Sequence, residues 1–296
     1  MKVIELEKKE IDIKDFKLRS AQDSDYKTLY REDTVLMSEG KIKVIYQRLD
    51  LDSTKIVEAL ETIKYQEGFR SRGLKSRSRI FGYAPRLEFR QDFCHAASLA
   101  MEQPKEHQIV CDYAKQVTQI YEKIDPQMFK RHDKMSKKIL KDYQIEDTPF
   151  TSGIINKNNP LKYHFDFGNF VDVYSCMLGF KKNIVGGYLS LPEYECAFEI
   201  SHNSVFIFDG QNILHGVTPF EKLTEDAYRY TIVYYSLKRM WECLPISEEV
   251  IRIRNKRLGM EQRRARGELA PAILAKMKQV EKRKAKEKES LGDNVR

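Results

Sequence analysis

Tryptophan is nearly missing from this 296-residue chain, Trp241 being the only one, and no two cysteines form a CxxC pair. Cys94, Cys111, Cys176, Cys196 and Cys243 are spread too widely for a structural zinc site or a disulfide framework, and scattered free thiols suit a reducing cytosol. No apolar run is long enough to span a bilayer, and Met1-Lys2-Val3 does not open a signal peptide. A cytoplasmic monomer without membrane attachment is the expectation. What is plentiful is aromatic: 15 Phe and 16 Tyr, enough to furnish a sizeable core.

Charge is unevenly placed. The chain carries +8 net, yet residues 251–296 hold 15 Lys/Arg against 6 Asp/Glu, so the rest is near neutral. A basic tail on a neutral body points to nucleic acid, held through phosphate contacts and counterion release. The plainer alternative is a solvated, partly helical extension. A second basic cluster runs from Phe69 to Tyr83, with Arg70, Arg72, Lys75, Arg77 and Arg79 on a Gly/Ser-punctuated segment. It reads as a phosphate-gripping loop, the alternative being a soluble surface loop.

Texture divides the chain into residues 1–148, strands and helices packing on a core; 149–241, the core; and 242–296, a basic helical extension. Helices are expected from Thr54 to about Tyr65, near Cys94–Met101, from about Lys105 to Tyr121, and from Asp125-Pro126 to Lys141. His95, His107 and His132 have no partner at ligand spacing and read as ordinary surface histidines. From Pro149 onward, eight short strands separated by turn signals predict an antiparallel barrel or jelly roll. The last 15 or so residues, in a stretch alternating Lys/Arg with Glu, are expected to fray.

One stretch in this core carries chemistry. Alternation in Tyr163-His164-Phe165-Asp166-Phe167 predicts a strand with His164 and Asp166 on one face. An imidazole beside a carboxylate is two-thirds of the 2-His-1-carboxylate triad of non-haem Fe(II) oxygenases. His215, about 50 residues later, supplies the second histidine; His202, in a loop after Ser201, is the weaker competitor. Arg229 suits the distal carboxylate of a 2-oxo acid, because a planar guanidinium grips a carboxylate through two hydrogen bonds. Thr231, two residues along the same strand, points to the same side. The alternative is a chance assembly of satisfied core polar groups.

The order His164-x-Asp166, Gly186-Gly187-Tyr188-Leu189-x-Leu191-Pro192, His215 and Arg229-x-Thr231 resembles the Fe(II)/2-oxoglutarate dioxygenase superfamily. Asn169, three residues after Asp166, and Arg229-Tyr230-Thr231-Ile232-Val233-Tyr234-Tyr235 resemble its ten-eleven-translocation/base-J-binding-protein (TET/JBP) branch. That resemblance implies an α+β fold with a double-stranded β-helix core, cupin-like, flanked by helices and a basic helical tail. It implies Fe(II) on His164, Asp166 and His215, 2-oxoglutarate on Arg229 and Thr231, and dioxygen as co-substrate. Asn169 and Tyr235 then contact a target base in DNA, on which Tyr235 or Phe167 could stack. The implied reaction oxidises the C5 methyl of 5-methylcytosine to the hydroxymethyl stage or further. Hydroxylation of thymine, of a protein or of a small molecule is the alternative. Where animal members place a base-contacting histidine, this chain has Leu237. The cysteine-rich zinc region of the animal enzymes has no counterpart, which suits a compact microbial or viral-type member in its host's cytoplasm or nucleus.

Overall fold

In the strand Ser204–Phe208 every residue is buried, and alternate side chains enter different cores: Val205 and Ile207 one, Phe206 and Phe208 the other. A strand packed on both faces needs an unbroken apolar run, because period-2 alternation sends every second residue to each side. The same split recurs along Tyr228–Tyr235. Tyr230, Ile232 and Tyr234 face the first core, and Arg229, Val233 and Tyr235 line a cavity on the other side.

The computed structural model describes all residues except 17–18, 71–73, 88–91, 270, 272, 276–277 and 280–296. In chain order the elements begin β1 (Lys2–Glu5), α1 (Ile13–Phe16), β2 (Thr28–Tyr30), β3 (Thr34–Ser38), β4 (Lys41–Arg48), α2 (Thr54–Thr62), β5 (Gln66–Arg70) and β6 (Leu74–Ala84). Next come β7 (His95–Ala96), α3 (Ser98–Glu102), α4 (Pro104–Ile124), α5 (Pro126–Ser136), β8 (Ser152–Lys157), β9 (Ser175–Lys182) and β10 (Ile184–Gly186). The remainder are β11 (Leu189–Leu191), β12 (Cys196–Phe198), β13 (Ser204–Phe208), β14 (Gly216–Val217), β15 (Phe220–Lys222), β16 (Tyr228–Tyr235) and α6 (Ile246–Ala265). Met1–Pro245 forms one compact unit and Ile246–Arg296 a second.

The large sheet runs β1-β3-β4-β13-β9-β16-β8-β6-β5, and a four-stranded sheet runs β14-β11-β12-β2. Tyr46 and Phe206 of the first pack with Leu189, Phe198 and Val217 of the second in one cluster. This is the double-stranded β-helix core of an α+β fold. The other face of the large sheet is covered by α2 and α4. On α4, Val110, Ala114, Val117 and Tyr121 form the 3.6-period stripe that meets the sheet. Pro104 stands in the first turn of α4, and the Asp125 carboxylate caps α5 by accepting from the Met128 N–H.

Several expectations are corrected. Residues 1–148 do not pack on a finished barrel: β3, β4 and β6 are hydrogen-bonded strands of the same sheet as β8, β9, β13 and β16. Outside residues 71–73, the basic segment is not a loop but lies on the paired strands β5 and β6. His132 is fully buried, because Met128, Phe129, Met135 and His132 share one stripe of α5; it lies against Tyr121, Phe150 and Phe170. His107 is half-buried and accepts a hydrogen bond from the Gly82 N–H. Cys94 and Cys243, 149 positions apart, form a disulfide, leaving Cys111, Cys176 and Cys196 free. Chain spacing cannot reveal a bridge that tertiary packing closes, here around Tyr143, Phe170 and Met240. No helix among the described residues is long and apolar enough to cross a membrane. The stretch expected to fray lies outside the described residues.

Candidate active site

Tyr163–Phe167 is not a regular strand. It makes one antiparallel rung, with the His164 N–H donating to the His215 carbonyl (3.0 Å) and the His215 N–H to that of His164 (3.1 Å). The chain then turns at Gly168, whose φ of +88° suits glycine. That single rung sets the two histidines side by side, their ring centroids 4.3 Å apart. Asp166, two residues on, still reaches the same side. Its Oδ1 lies 3.8 Å from His164 Nε2 and 3.9 Å from His215 Nε2. Gly210 makes room for this carboxylate, since a Cβ there would stand 2.3 Å from Asp166 Oδ2.

Both imidazoles are oriented through their far nitrogens. His164 Nδ1 bonds the Lys162 carbonyl (2.7 Å) and His215 Nδ1 the Ile213 carbonyl (2.9 Å). A carbonyl only accepts, so each Nδ1 carries the proton and each Nε2 keeps its lone pair toward the cluster. Burial, with the His164 ring adding to it, pushes the His215 pKa down to about 4 and holds that ring neutral at neutral pH. Ligand atoms of His164, Asp166 and His215 all lie within 4.8 Å of one another. Two imidazoles, one carboxylate and no thiolate fit a Fe(II) site with an open side.

A cavity of about 260 Å³ begins at this cluster and ends at Arg229. Arg229 is 2 % exposed, and its Nε has no hydrogen-bond partner among the described residues. Burial pulls its pKa down to about 10, so it remains a cation at neutral pH. A buried guanidinium left short of a partner is costly. A carboxylate entering the cavity would satisfy it, so the residues present fit an iron-chelating 2-oxo acid. Thr231 sits on the same side of β16, its Oγ1 3.5 Å from Asn156 Nδ2. Asn156 lines the cavity and was not anticipated; its signal was the alternation in β8, where Ile154 and Asn156 face the cavity and Ile155 the helical core.

The cavity is also lined by Asn169, Tyr235 and Leu237 and by the exposed Ile80 and Phe167, with Met177, Phe208 and Val233 as apolar walls. Asn169 is buried and donates to Ser175 Oγ (3.1 Å). Phe167, which might have been core, is 87 % exposed. The expected phosphate-binding cations are not brought together here. Arg79 is buried and paired with Glu102 at 2.5 Å, which removes it from solvent and corrects its assignment as a nucleic-acid contact. Arg77 is exposed and paired with Glu67 at 2.7 Å. Arg72 and the side chains of Arg70 and Lys75 lie outside the described residues.

The triad, the open side and the buried guanidinium define an oxygenase that uses Fe(II), 2-oxoglutarate and dioxygen. The chain belongs to the TET/JBP family: the model of that family, the oxygenase domain of the 2-oxoglutarate/Fe(II)-dependent dioxygenase superfamily, matches residues 80–238. Its fold is similar to that of NgTET1, solved in complex with 5mC DNA, with a TM-score of 0.55 and 14% identity over 74% of this chain and 81% of that one. An oxidoreductase of the 2OG-Fe(II) oxygenase family from Burkholderia pseudomallei matches with a TM-score of 0.40 and 9% identity, over 66% of this chain and 85% of that one. No curated protein sequence matches the chain.

Proposed function

We propose that this dioxygenase oxidises the C5 methyl of a pyrimidine in DNA, 5-methylcytosine to 5-hydroxymethylcytosine first. His164, Asp166 and His215 hold Fe(II), Arg229 and Thr231 hold 2-oxoglutarate, and Asn169 and Tyr235 meet the base. One observation carries this reading: a single cavity has the three-ligand cluster, a buried Arg229 short of a partner, and a polar pair, Asn169 and Tyr235, in its lining. DNA as the substrate is supported by family membership and by the fold shared with a TET protein solved on 5mC DNA.

Fe(II) with 2-oxoglutarate and dioxygen, when bound, supplies the oxidising power that adds one oxygen atom to the methyl group as succinate and carbon dioxide are formed. The chain's own groups do the rest. Nδ1–H bonds to the Lys162 and Ile213 carbonyls keep both imidazoles facing the cluster. Arg229 neutralises the distal carboxylate and so fixes the orientation of the co-substrate. Met177, Phe208 and Val233 keep water from the reacting methyl. A methyl inside a stacked duplex cannot enter such a cavity, so the base is flipped out or taken from a single strand. The exposed Arg254, Lys256, Arg257 and Arg263 of α6 suit phosphate contact.

Thymine is the second substrate to test. Leu237 lines the cavity and offers no hydrogen-bonding side chain, and the Asn169 amide can meet either base at C4. The test incubates purified protein with Fe(II), 2-oxoglutarate and ascorbate on duplexes with and without 5-methylcytosine, then analyses nucleosides by mass spectrometry. Addition of one oxygen to 5-methylcytosine, absent in Asp166→Ala, is the expected result. The same addition on thymidine alone reverses the choice of base. Succinate formation without any modified nucleoside would overturn the DNA reading and favour a protein or small-molecule substrate.

A further inference from the structure

Three phenylalanines stand within six residues of His164, and they are treated differently. Phe165 is half-buried, and Phe170 is fully buried and stacked on Trp241 with ring centroids 4.5 Å apart. Phe167, next to Asp166, is 87 % exposed. Its exposure does not come from a loose loop. The Asp166 N–H donates to the Gly210 carbonyl (2.8 Å), the Lys238 N–H to the Gly168 carbonyl (2.9 Å), and the Phe170 N–H to the Ser236 carbonyl (2.8 Å). The turn is pinned on both sides, and it holds an aromatic ring out into water at the cavity mouth. Ile80, 45 % exposed, is a second apolar side chain on the same rim.

A ring meant to sandwich a flipped base would stand inside the cavity, shielded by its walls. Phe167 borders the cavity but points mostly to solvent, where the body of a duplex would lie. Opening a duplex leaves a gap in the base stack, and apolar side chains placed at a base step fill such gaps. We infer that Phe167 is the wedge that enters the duplex and occupies the space vacated by the target base. The residue thereby sets a preference for double-stranded over single-stranded substrate. The inference rests on the proposed action on DNA.

The test compares hydroxymethylation of 5-methylcytosine by wild type, Phe167→Ala and Phe167→Trp. Substrates are a matched duplex, the same strand alone, and a duplex with an abasic site opposite the target, which is already partly open. Phe167→Ala is expected to lower the matched-duplex rate about tenfold relative to the single-strand rate. The abasic duplex is expected to fall in between, and Phe167→Trp to restore most of the ratio. An equal fall on all three substrates, or no fall, overturns the wedge while leaving the DNA reading intact. A merely structural role would lower all rates together and would not be rescued by tryptophan. Wild type that modifies none of the three while still forming succinate sinks the DNA reading, and the wedge with it.

Discussion

The two ends of the cavity are built on opposite terms. At the mouth, His164 and Asp166 are partly exposed, and their ligand atoms face one another across open space. At the inner end Arg229 and Asn156 are both buried, and the Arg229 Nε lacks a partner among the described residues. Water can satisfy the first set whenever nothing is bound. In the second, Asn156 already bonds Thr231 and Asn159, and the Arg229 guanidinium is the group that an entering carboxylate would satisfy. The mouth therefore exchanges substrates at little cost, whereas the inner end stores a desolvation penalty that a carboxylate releases.

Breaking the mouth has the largest effect. Asp166→Ala removes the only anionic ligand and is expected to lower turnover more than about a thousandfold, roughly 4 kcal/mol of transition-state stabilisation. Iron binding, followed by calorimetry, should weaken with it. Retained activity would show that the three residues are not the metal site. Breaking the inner end separates function from stability. Arg229→Met keeps the bulk and deletes the buried charge, so kcat/KM for 2-oxoglutarate should fall about a hundredfold, near 3 kcal/mol. The ligand-free protein should melt at the same or a higher temperature, because a buried unpaired polar group has gone. A variant that lost both activity and stability would mean that Arg229 is held by the fold rather than reserved for a ligand.

A smaller effect sharpens the contrast through pH. His132 Nε2 lies 2.8 Å from Ser236 Oγ, which itself donates to the Pro149 carbonyl, so Nε2 carries the ring proton and donates to Ser236. Its Nδ1 is buried without a partner among the described residues, and burial holds the pKa down near 3 against 6.5 for a free histidine. The unfolded chain binds this proton more readily than the folded one. Stability is therefore whole above pH 6.5 and is lost as pH falls toward 3. Between pH 7 and pH 5 the loss should be about 2 kcal/mol, absent from His132→Phe when the two are melted in parallel.

The mouth was largely legible in the amino-acid order, because His164, Asp166 and His215 are the donor types iron prefers and their identity survives any error in local structure. Tyr163–Phe167 looked like a strand and is a single rung before a turn, yet the i, i+2 relation still puts both ligands on one side. Arg229 and Thr231 could be read from one strand. Asn156 was signalled only by the alternation in β8, and Gly210 not at all, since its role comes from a carboxylate 44 positions away. The disulfide and the burial of His132 were hidden for the same reason: both depend on which surfaces meet. Charge misled most. Five cations in ten residues suggest a phosphate loop only while the acids that pair with Arg77 and Arg79, Glu67 and Glu102, are unassigned.

The β5–β6 hairpin offers the finest comparison, because Arg77 and Arg79 lie two residues apart on one strand that also carries Ile80 at the mouth. Arg79 is buried, with its Nε unpartnered among the described residues, and its ion pair reaches a Glu102 carboxylate that is half exposed. Solvent screens that end of the pair, so Arg79→Ala should cost about 1–2 kcal/mol of folding stability, less than breaking a fully buried bridge. Arg77 and Glu67 are both about half exposed, and Arg77→Ala should cost under about 0.5 kcal/mol. DNA affinity measured against salt should move the other way. Arg77→Ala would lower the slope by about one ion if the hairpin touches phosphate, and Arg79→Ala would leave it alone. If Arg79→Ala reduced the slope instead, its bond to Glu102 would have to open on binding, and the hairpin would belong with the exchanging end of the cavity rather than with its fixed wall.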